Sequence, residues 1–388
     1  MNFAIVRYLI GWMLGIESIF LLLPALNAVI YGEPELPAYL IAAAISLAGA
    51  ALLCHRKPKN TRFYAREGYV TVALCWLILA VIGALPFVLS REIPFFIDAL
   101  FETVSGFTTT GATILGDVEA LSHASMLWRC LTHWVGGMGV LVFMLIVLPL
   151  AGGQTIFLMR AESPGPSVSK MSPHMRDTAT ILYAIYFGLT VLQMILLLIG
   201  GMPLFDAICV SLGTAGTGGF GNWNDSIAHY NSAYLQNVIT VFMILFGINF
   251  SAYFLILTRK FRQAFRIEEI RVYLGVIFVF AGLIAFNVRP MFGSLRESFH
   301  HALFQVASII TTTGFSTVDF DQWPTFSRAL LVLLMFIGAC AGSTGGGMKC
   351  SRILLLGKSV KKELMCLIHP RLVRVNKMDG QRVAHEVI

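Results

Sequence analysis

The sequence FFIDALFETVSGFTTTGAT at residues 95–113 decides the fold, because an apolar stretch runs directly into a segment of threonine and glycine. The apolar part, Phe95–Phe107, would form a helix ~18 Å long, about half the thickness of a membrane's hydrocarbon core. Such a helix can enter a membrane but cannot cross it. Irregular backbone at membrane depth is tolerated only where protein buries it or where it lines a water-filled cavity. In a membrane, this stretch predicts a re-entrant half-helix.

The same arrangement occurs twice more along the chain. Leu204–Leu212 leads into TAGTGGFG at 214–221, and Phe299–Ile310 leads into TTTGFST at 311–317. The three copies are spaced by about 100 residues, and internal repeats of this kind indicate one supersecondary unit used several times. We therefore predict a unit of span, half-helix, Thr/Gly segment and span, used three times after an N-terminal hairpin.

Composition places these units in a membrane. Of the 388 residues, 57% are hydrophobic and 13% are charged, against ~25% charged in soluble domains. A soluble fold could not bury so much apolar surface, and a disordered chain would contain far less of it. The seven cysteines are scattered without a CxxC pair, so neither a zinc site nor a disulfide framework is indicated. The sequence predicts an all-α polytopic membrane protein.

The apolar segments also predict the topology. Spans are expected at residues 4–30, 38–54, 69–89, 126–150, 178–200, 234–257, 271–288 and 327–356. Most of the 28 Lys and Arg residues fall in alternate connections, at Arg56–Arg66, Arg160–Arg176, Arg259–Arg271 and in the tail after Arg352. Because cytoplasmic loops carry the positive charge, both termini are expected in the cytoplasm.

The Thr/Gly segments offer hydroxyl and carbonyl oxygens and contain no carboxylates. Rings of carbonyl oxygens replace the hydration shell of potassium in selective pores. The C-terminal end of a helix also carries negative partial charge, which favours a cation. The alternative is that the segments serve only for close helix packing, but three copies, each after a half-helix, favour a functional role.

At this point the sequence resembles the Trk/Ktr/HKT superfamily of potassium-uptake membrane subunits, closest to the bacterial TrkH/TrkG type. The resemblance covers the whole chain and is carried by GFTTTGATIL (106–115), HWVGGMGVLVF (133–143), GTAGTGGFG (213–221), TTTGFST (311–317) and GSTGGGMK (342–349). It implies four fused units of potassium-channel-like pore architecture, each with one filter strand. The filter residues that it implies here are Thr109, Thr110, Gly111, Thr217, Gly218, Gly219, Thr312, Thr313 and Gly314, with Gly219 favoured over Gly218 as the second central glycine.

The resemblance also assigns a gate within the last span. The apolar helix Leu330–Ala341 is followed by three consecutive glycines, each unfavourable in a helix by ~1 kcal/mol. The implied gating loop under the filter comprises Gly342, Ser343, Thr344, Gly345, Gly346, Gly347 and Lys349. The alternative is a flexible kink whose Lys349 reaches the inner surface. A Walker A loop is rejected, because Met348 interrupts the pattern and no strand precedes it.

The domain division follows from these assignments. Residues 1–67 form the N-terminal transmembrane hairpin and a basic cytoplasmic loop, and 68–160, 161–266 and 267–357 form the first, second and third pore repeats. Residues 358–388 form a basic cytoplasmic tail. A fourth repeat is missing relative to the family pattern, which implies that the chain is a fragment, that the gene is interrupted or that a partner supplies the rest. A non-conducting fragment therefore stays open as an alternative.

The expected function is potassium uptake across the bacterial inner membrane, with potassium as substrate and no cofactor. The resemblance implies a cytosolic nucleotide-binding regulatory subunit and a homodimer, and the basic segments could instead bind anionic lipid. No nucleic-acid partner is expected. A secondary carrier of another small cation or solute is the alternative. The sequence leaves open whether potassium moves by channel-like flow or is coupled to protons or sodium. An enzyme is disfavoured because no nucleophile–base set is visible.

Several other polar residues lie near the half-helices and within the predicted spans. Asp98, Glu102 and Asp206 are either caps near half-helix starts or attract cations, and Arg129 is expected to pair with one of them. His133 and Trp134 precede the small residues Gly136, Gly137 and Gly139, which favours helix packing over proton transfer. Glu17, His300 and His301 receive no specific role.

Overall fold

The computed structural model describes residues 2–58, 65–137, 139, 175–369, 377–379 and 381–382. The regular secondary structure of these residues is almost entirely helical, which confirms the predicted fold class. The helices in chain order are α1 (Phe3–Tyr31), α2 (Leu36–Cys54), α3 (Ala65–Leu89), α4 (Phe96–Phe107), α5 (His123–Gly137), α6 (Met175–Ile199), α7 (Leu204–Ala215), α8 (Ala233–Phe246), α9 (Phe250–Leu257), α10 (Phe261–Ala264), α11 (Glu268–Val288), α12 (Leu295–Ile310), α13 (Thr325–Ile337) and α14 (Cys350–Ile368). The only strands in the described part are the two-residue pair β1 (Lys377–Met378) and β2 (Gln381–Arg382).

The described residues form two compact units, one ending at Ser226 and the other beginning at Ile227. In the first unit, α1 to α5 pack around buried side chains that include Leu21, Phe87 and Trp128. In the second unit, α11 lies against α12, α13 and α14, and Tyr273 and Ile284 are fully buried. Each unit thus has its own apolar core, as an independently packed helical bundle requires.

Five described helices are long and apolar enough to cross a membrane, and the α8–α9 pair makes six if it is counted as one span. The five are Phe3–Tyr31, Leu36–Cys54, Arg66–Leu89, Thr180–Ile199 and Glu268–Met291. They agree with predicted spans. The second half of the span predicted at 126–150 and the basic loop Arg160–Arg176 lie mainly outside the described residues.

The three half-helices occur where the sequence predicts them. They are α4, α7 and α12, of 12, 12 and 16 residues. Each begins after a residue with extended backbone, namely Phe95, Pro203 and Ser294, and each ends immediately before threonine or glycine. Ser294 caps α12 by accepting a hydrogen bond from the Glu297 amide.

The span predicted at 234–257 is not continuous. Helices α8 and α9 meet at an angle of 94° across Gly247–Asn249. The side chain of Asn249 accepts a hydrogen bond from the Ser251 amide and so starts α9 as a new helix. The carbonyl of Gly247 is not used within the helix, because it accepts from the Cys340 amide. The break is therefore compensated by hydrogen bonds to a distant segment, which hydropathy could not reveal.

The last predicted span is also shorter than expected. The helix predicted to continue to Ala341 ends at Ile337, because Gly338 has a φ of 71° and ends the helical geometry. Residues 338–349, here called the intramembrane loop, are non-helical, and α14 begins at Cys350. This helix continues to Ile368, well into the region that was predicted to be a cytoplasmic tail.

Candidate functional site

The half-helices end in three turns of the same backbone conformation, at residues 108–111, 216–219 and 311–314. In each turn a threonine and the glycine two positions later have positive φ. The values are 54° and 75° for Thr109 and Gly111, 52° and 78° for Thr217 and Gly219, and 59° and 89° for Thr312 and Gly314. Gly219, and not Gly218, therefore occupies the position equivalent to Gly111 and Gly314.

The turns also share their hydrogen bonds. The threonine amide donates to the carbonyl three residues back, and the next amide donates to the carbonyl five residues back. The longer bonds join Thr110 to Ser105 at 2.9 Å, Gly218 to Gly213 at 3.1 Å and Thr313 to Ser308 at 2.9 Å. This is a Schellman cap, which satisfies the last carbonyls of a helix. The same pattern of hydrogen bonds thus ends all three half-helices.

The threonine in each cap is conformationally unfavourable. A Schellman cap usually places glycine at the residue with positive φ, and a β-branched side chain there is an outlier. Such a backbone conformation costs about 1–3 kcal/mol and is found mostly at functional sites. All three turns place threonine there, so this unfavourable residue recurs together with the turn.

The carbonyl oxygens of the turns are available to a ligand. No described residue donates a hydrogen bond to the carbonyls of 109–111, 217–219 or 312–314. At membrane depth a carbonyl without a partner is costly, so such groups must face water or a cation. Nearby hydroxyls add further oxygens, since Thr108 and Thr110 lie 2.8 Å apart and Thr311 and Thr313 2.7 Å apart.

The first two turns pack closely against each other and against α5. A Cβ at Gly111 would clash with the Gly218 carbonyl oxygen, and one at Gly218 would clash with the ring of His133. His133 is fully buried and stacks on Phe220 with ring centroids 4.0 Å apart. Gly136 and Gly137 touch the backbone of Phe107 and Gly216. The packing role predicted for this part of α5 is confirmed for these two glycines.

The segment after each turn, here called its strap, comprises residues 112–115, 220–224 or 315–318. In the first repeat, Glu102 of α4 holds the strap by accepting from the Thr113 hydroxyl and the Ile114 amide, all at 3.0 Å. Glu102 also pairs with Arg129 of α5 at 2.7 Å, and both side chains are almost fully buried. The predicted pairing of Arg129 is confirmed, and Glu102 is not a helix cap.

The other straps are held by polar side chains of their own half-helices. Asp206 of α7 accepts from the side-chain amide of Asn222 at 2.7 Å and from the indole N–H of Trp223 at 3.3 Å. His301 of α12 lies 3.0 Å from the Thr317 hydroxyl. Asn224 donates to Asp117 at 2.7 Å and thereby holds the pKa of that exposed carboxyl below its ordinary value. Each half-helix thus fixes the strap that follows its turn.

The intramembrane loop, residues 338–349, contacts the third turn. The Gly346 amide donates to the Thr312 hydroxyl at 2.7 Å, and a Cβ at Gly345 would lie 3.0 Å from the Thr311 carbonyl oxygen. Lys349 donates from its Nζ to the Gly345 carbonyl within the loop. The predicted loop residues therefore lie beside one of the predicted filter residues.

The loop is also bonded to the break between α8 and α9. Cys340 donates to the Gly247 carbonyl at 3.0 Å, and Phe250 donates to the Gly342 carbonyl at 2.9 Å. The Thr344 hydroxyl donates to the Phe246 carbonyl at 3.2 Å. The two helix breaks therefore satisfy each other's backbone groups, as irregular backbone within a membrane requires.

One functional candidate was not predicted from the sequence. Glu269, in the first turn of α11, is 2% exposed and accepts hydrogen bonds from the Ala341 and Ser351 amides at 2.7 and 2.9 Å. In the sequence it is an acidic residue beside Glu268 at a helix start, where acids are common because of the helix dipole. Its contacts with residues 72 and 82 positions away are visible only in the structure.

Transmembrane helices, repeated half-helices that end in oxygen-rich turns, and an intramembrane loop define a membrane protein of the ion-transport class. The family model described as a cation transport protein, TrkH, matches residues 37–388. The chain belongs to this TrkH family.

Individual relatives agree with this membership. The Trk system potassium uptake protein TrkH of Salmonella typhimurium is 36% identical over 100% of this chain and 82% of its own length. The Trk system potassium uptake protein TrkG of Escherichia coli is 33% identical over 99% of this chain and 80% of its own length. The crystal structure of the potassium transporter TrkH from Vibrio parahaemolyticus is similar with a TM-score of 0.88 and 31% identity, covering 100% of this chain and 81% of that one.

Proposed function

We propose that this chain is the ion-translocating subunit of a Trk-type potassium uptake system. The observation that carries the proposal is the threefold recurrence of one turn, with the same two residues at positive φ and with carbonyl oxygens to which no described residue donates. Potassium is selected in pores by carbonyl oxygens that replace its hydration shell. The relatives that bear the name potassium uptake protein support the same substrate.

In this proposal each turn contributes oxygens to a potassium selectivity filter. The proposed filter residues are Thr109, Thr110, Gly111, Thr217, Gly218, Gly219, Thr312, Thr313 and Gly314. The C-terminal ends of α4, α7 and α12 bring negative partial charge to the turns, which stabilises a partly dehydrated cation. Potassium is the substrate, and the transport itself forms no covalent bond.

The intramembrane loop is the proposed gate, with Gly342, Ser343, Thr344, Gly345, Gly346, Gly347 and Lys349 as its residues. Its hydrogen bond to Thr312 connects the gate to the third turn. In the conformation described here, Lys349 is engaged with the loop's own Gly345 carbonyl. Movement of the loop would therefore require the exchange of these few polar contacts.

The remaining assignments belong to the same proposal. The division into an N-terminal hairpin (1–67), three pore repeats (68–160, 161–266 and 267–357) and a basic tail (358–388) is retained as a hypothesis. The chain acts as a homodimer in the bacterial inner membrane, with both termini in the cytoplasm. There it binds a cytosolic nucleotide-binding regulatory subunit, and its basic segments contact anionic lipid.

Growth on limiting potassium tests the proposal. The chain is expressed together with the regulator in a strain that lacks its own potassium uptake systems, and its presence in the membrane is verified. Growth should be rescued by the wild type and by Gly116→Ala, because a Cβ at Gly116 would meet no described residue within 4 Å. It should be lost with Gly111→Ala, where φ is 75° and the new Cβ would clash with Gly218.

Two results would contradict the proposal. One is a wild-type protein that inserts in the membrane together with the regulator and does not restore growth. The other is a Gly111→Ala variant that grows as well as Gly116→Ala at the lowest potassium concentration.

A further inference from the structure

We propose that Glu269 is the positioning residue that holds the intramembrane loop in the conformation described here. That the loop is a gate rests on the proposed function, whereas the clamp itself rests on the contacts of Glu269 alone. Glu269 lies on α11, outside the loop, the turns and the straps. It is a buried carboxylate that the filter and gate assignments do not use.

The first argument is the position of its two partners. The same oxygen, Oε1, accepts from the amide of Ala341, near the start of the loop, and from the amide of Ser351, just after its end. One side chain therefore joins both ends of the twelve-residue intramembrane loop (338–349) to a helix that is packed in the core. Because hydrogen bonds to a charged acceptor are roughly twice as strong as neutral ones, these contacts are suited to a clamp.

The second argument is the weakness of the other restraints. Apart from Glu269, the bonds from other described elements to the loop involve the Thr312 hydroxyl, the Phe246 carbonyl, the backbone of Gly247 and Phe250, and the Cys350 amide. All of these are neutral hydrogen bonds. Each contributes only about 0.5–1.5 kcal/mol, against roughly 1.5–3 kcal/mol for a bond to a charged group. Glu269 thus provides the strongest polar attachment.

The third argument is the contrast with the neighbouring residue. Glu268 is 31% exposed and pairs with Lys358 of α14. Its amide donates to Asp379 at 2.8 Å. Neither contact involves the loop. Two adjacent carboxylates at one helix start therefore have different roles, and Glu268 is a matched control for Glu269.

The test measures the accessibility of two cysteines beside the clamp. Cys340 and Cys350 are 0% and 1% exposed and lie beside Ala341 and Ser351, the partners of Glu269. The full chain in proteoliposomes is treated with a small membrane-permeant thiol reagent, and modification at each cysteine is measured by mass spectrometry. Rubidium flux is measured in the same preparation, first without and then with the regulator.

Glu269→Ala should raise the modification rate of Cys340 and Cys350 by about tenfold or more, since a tenfold change corresponds to 1.4 kcal/mol and two charged hydrogen bonds are lost. Glu269→Gln keeps a carbonyl acceptor but loses the charge, so its modification rate should lie between those of the wild type and Glu269→Ala. Glu269→Asp keeps the charge but is too short to reach both amides, so it should also raise the modification rate. It takes the place of Glu269→Ala in the test if Glu269→Ala does not fold. Glu268→Gln should leave both cysteines protected.

The outcomes separate this inference from the transport function. Faster modification in Glu269→Ala and Glu269→Asp, together with raised basal rubidium flux, supports the clamp as a gate restraint. Faster modification in preparations where neither the wild type nor any variant conducts, even with the regulator added, supports the clamp and contradicts the transport function. Unchanged modification in both variants, or equal effects of Glu268→Gln and Glu269→Ala, would overturn the inference.

Discussion

At the residue scale, the three threonines with positive φ indicate that the turns do more than end the half-helices. Glycine would make the same Schellman cap at lower conformational cost, yet Thr109, Thr217 and Thr312 occupy this position. Thr312 donates from its hydroxyl to its own neighbouring carbonyl and accepts from Gly346 of the intramembrane loop. The side chain therefore has a use at this position that glycine could not provide.

The strain of these threonines can be measured with Thr109→Gly. The substitution removes an unfavourable β-branched residue at positive φ, a relief of about 1–3 kcal/mol, against the ~0.5–1 kcal/mol entropic cost of glycine. We expect an equal or higher thermal midpoint in detergent, together with weaker rubidium uptake. Thr258→Gly is the control, because Thr258 is exposed with a φ of −83°. The idea of strain is wrong if both variants lose stability equally.

At the element scale, each half-helix fixes its own strap, and the first does so through a buried ion pair. Glu102 joins α4, the strap and Arg129 of α5, while the Arg129 guanidinium lies 4.1 Å from the centre of the Phe220 ring. Phe220 follows Gly219 and also stacks on His133. The geometry of the second turn therefore depends on side chains of the first repeat.

Removal of one partner of this pair should be strongly destabilising. Arg129→Met leaves Glu102 buried without its counter-ion, at an expected cost of about 3–5 kcal/mol. The double variant Glu102→Gln with Arg129→Met should recover much of that loss, because no buried charge remains. Thermal unfolding of the purified protein measures both.

The exposed pair Lys362–Glu363, 3.7 Å apart, provides the comparison. Glu363→Gln should change stability by less than ~1 kcal/mol, as surface ion pairs do. Equal effects of Arg129→Met and Glu363→Gln on stability would show that the buried pair contributes no more to stability than the exposed pair.

Much of this element-scale organisation is predictable from sequence, and the exceptions have physical reasons. The half-helices and turns are local: an apolar dozen residues followed by threonine and glycine specifies both the helix and its end. The break at Gly247–Asn249 is not local, because the groups that compensate it come from residues 340–342. Glu269 was missed for the same reason. The pairing of Arg129 could be expected because a buried charge needs a partner, but the choice of Glu102 required the structure.

At the scale of the whole molecule, the repeats are distributed over two compact units. The first unit contains the N-terminal helices and the turns at 108–111 and 216–219, and the second contains the turn at 311–314 with the intramembrane loop. Each unit has its own core, and each combines rigid helices with at least one left-handed turn. The recurrence of one turn in separately packed surroundings supports a shared function for the turns.

The most direct test of this shared function is ion selectivity at the third turn. Gly314 has a φ of 89°, and no described residue lies within 4 Å of a Cβ built on it, so Gly314→Ala alters the turn's backbone without a steric clash in the described part of the chain. Gly275→Ala is the matched control in the same unit, because Gly275 has no positive φ and a Cβ there would also meet no atom among the residues that the structure describes.

The measurement is uptake of radioactive rubidium into proteoliposomes, in competition with unlabelled potassium or sodium. For the wild type and Gly275→Ala, potassium should compete at far lower concentration than sodium. For Gly314→Ala, the ratio of the two half-inhibiting concentrations should fall by about tenfold or more, equivalent to ~1.4 kcal/mol of lost discrimination. An unchanged ratio in a Gly314→Ala variant that still transports rubidium would contradict the assignment of these turns as the potassium filter.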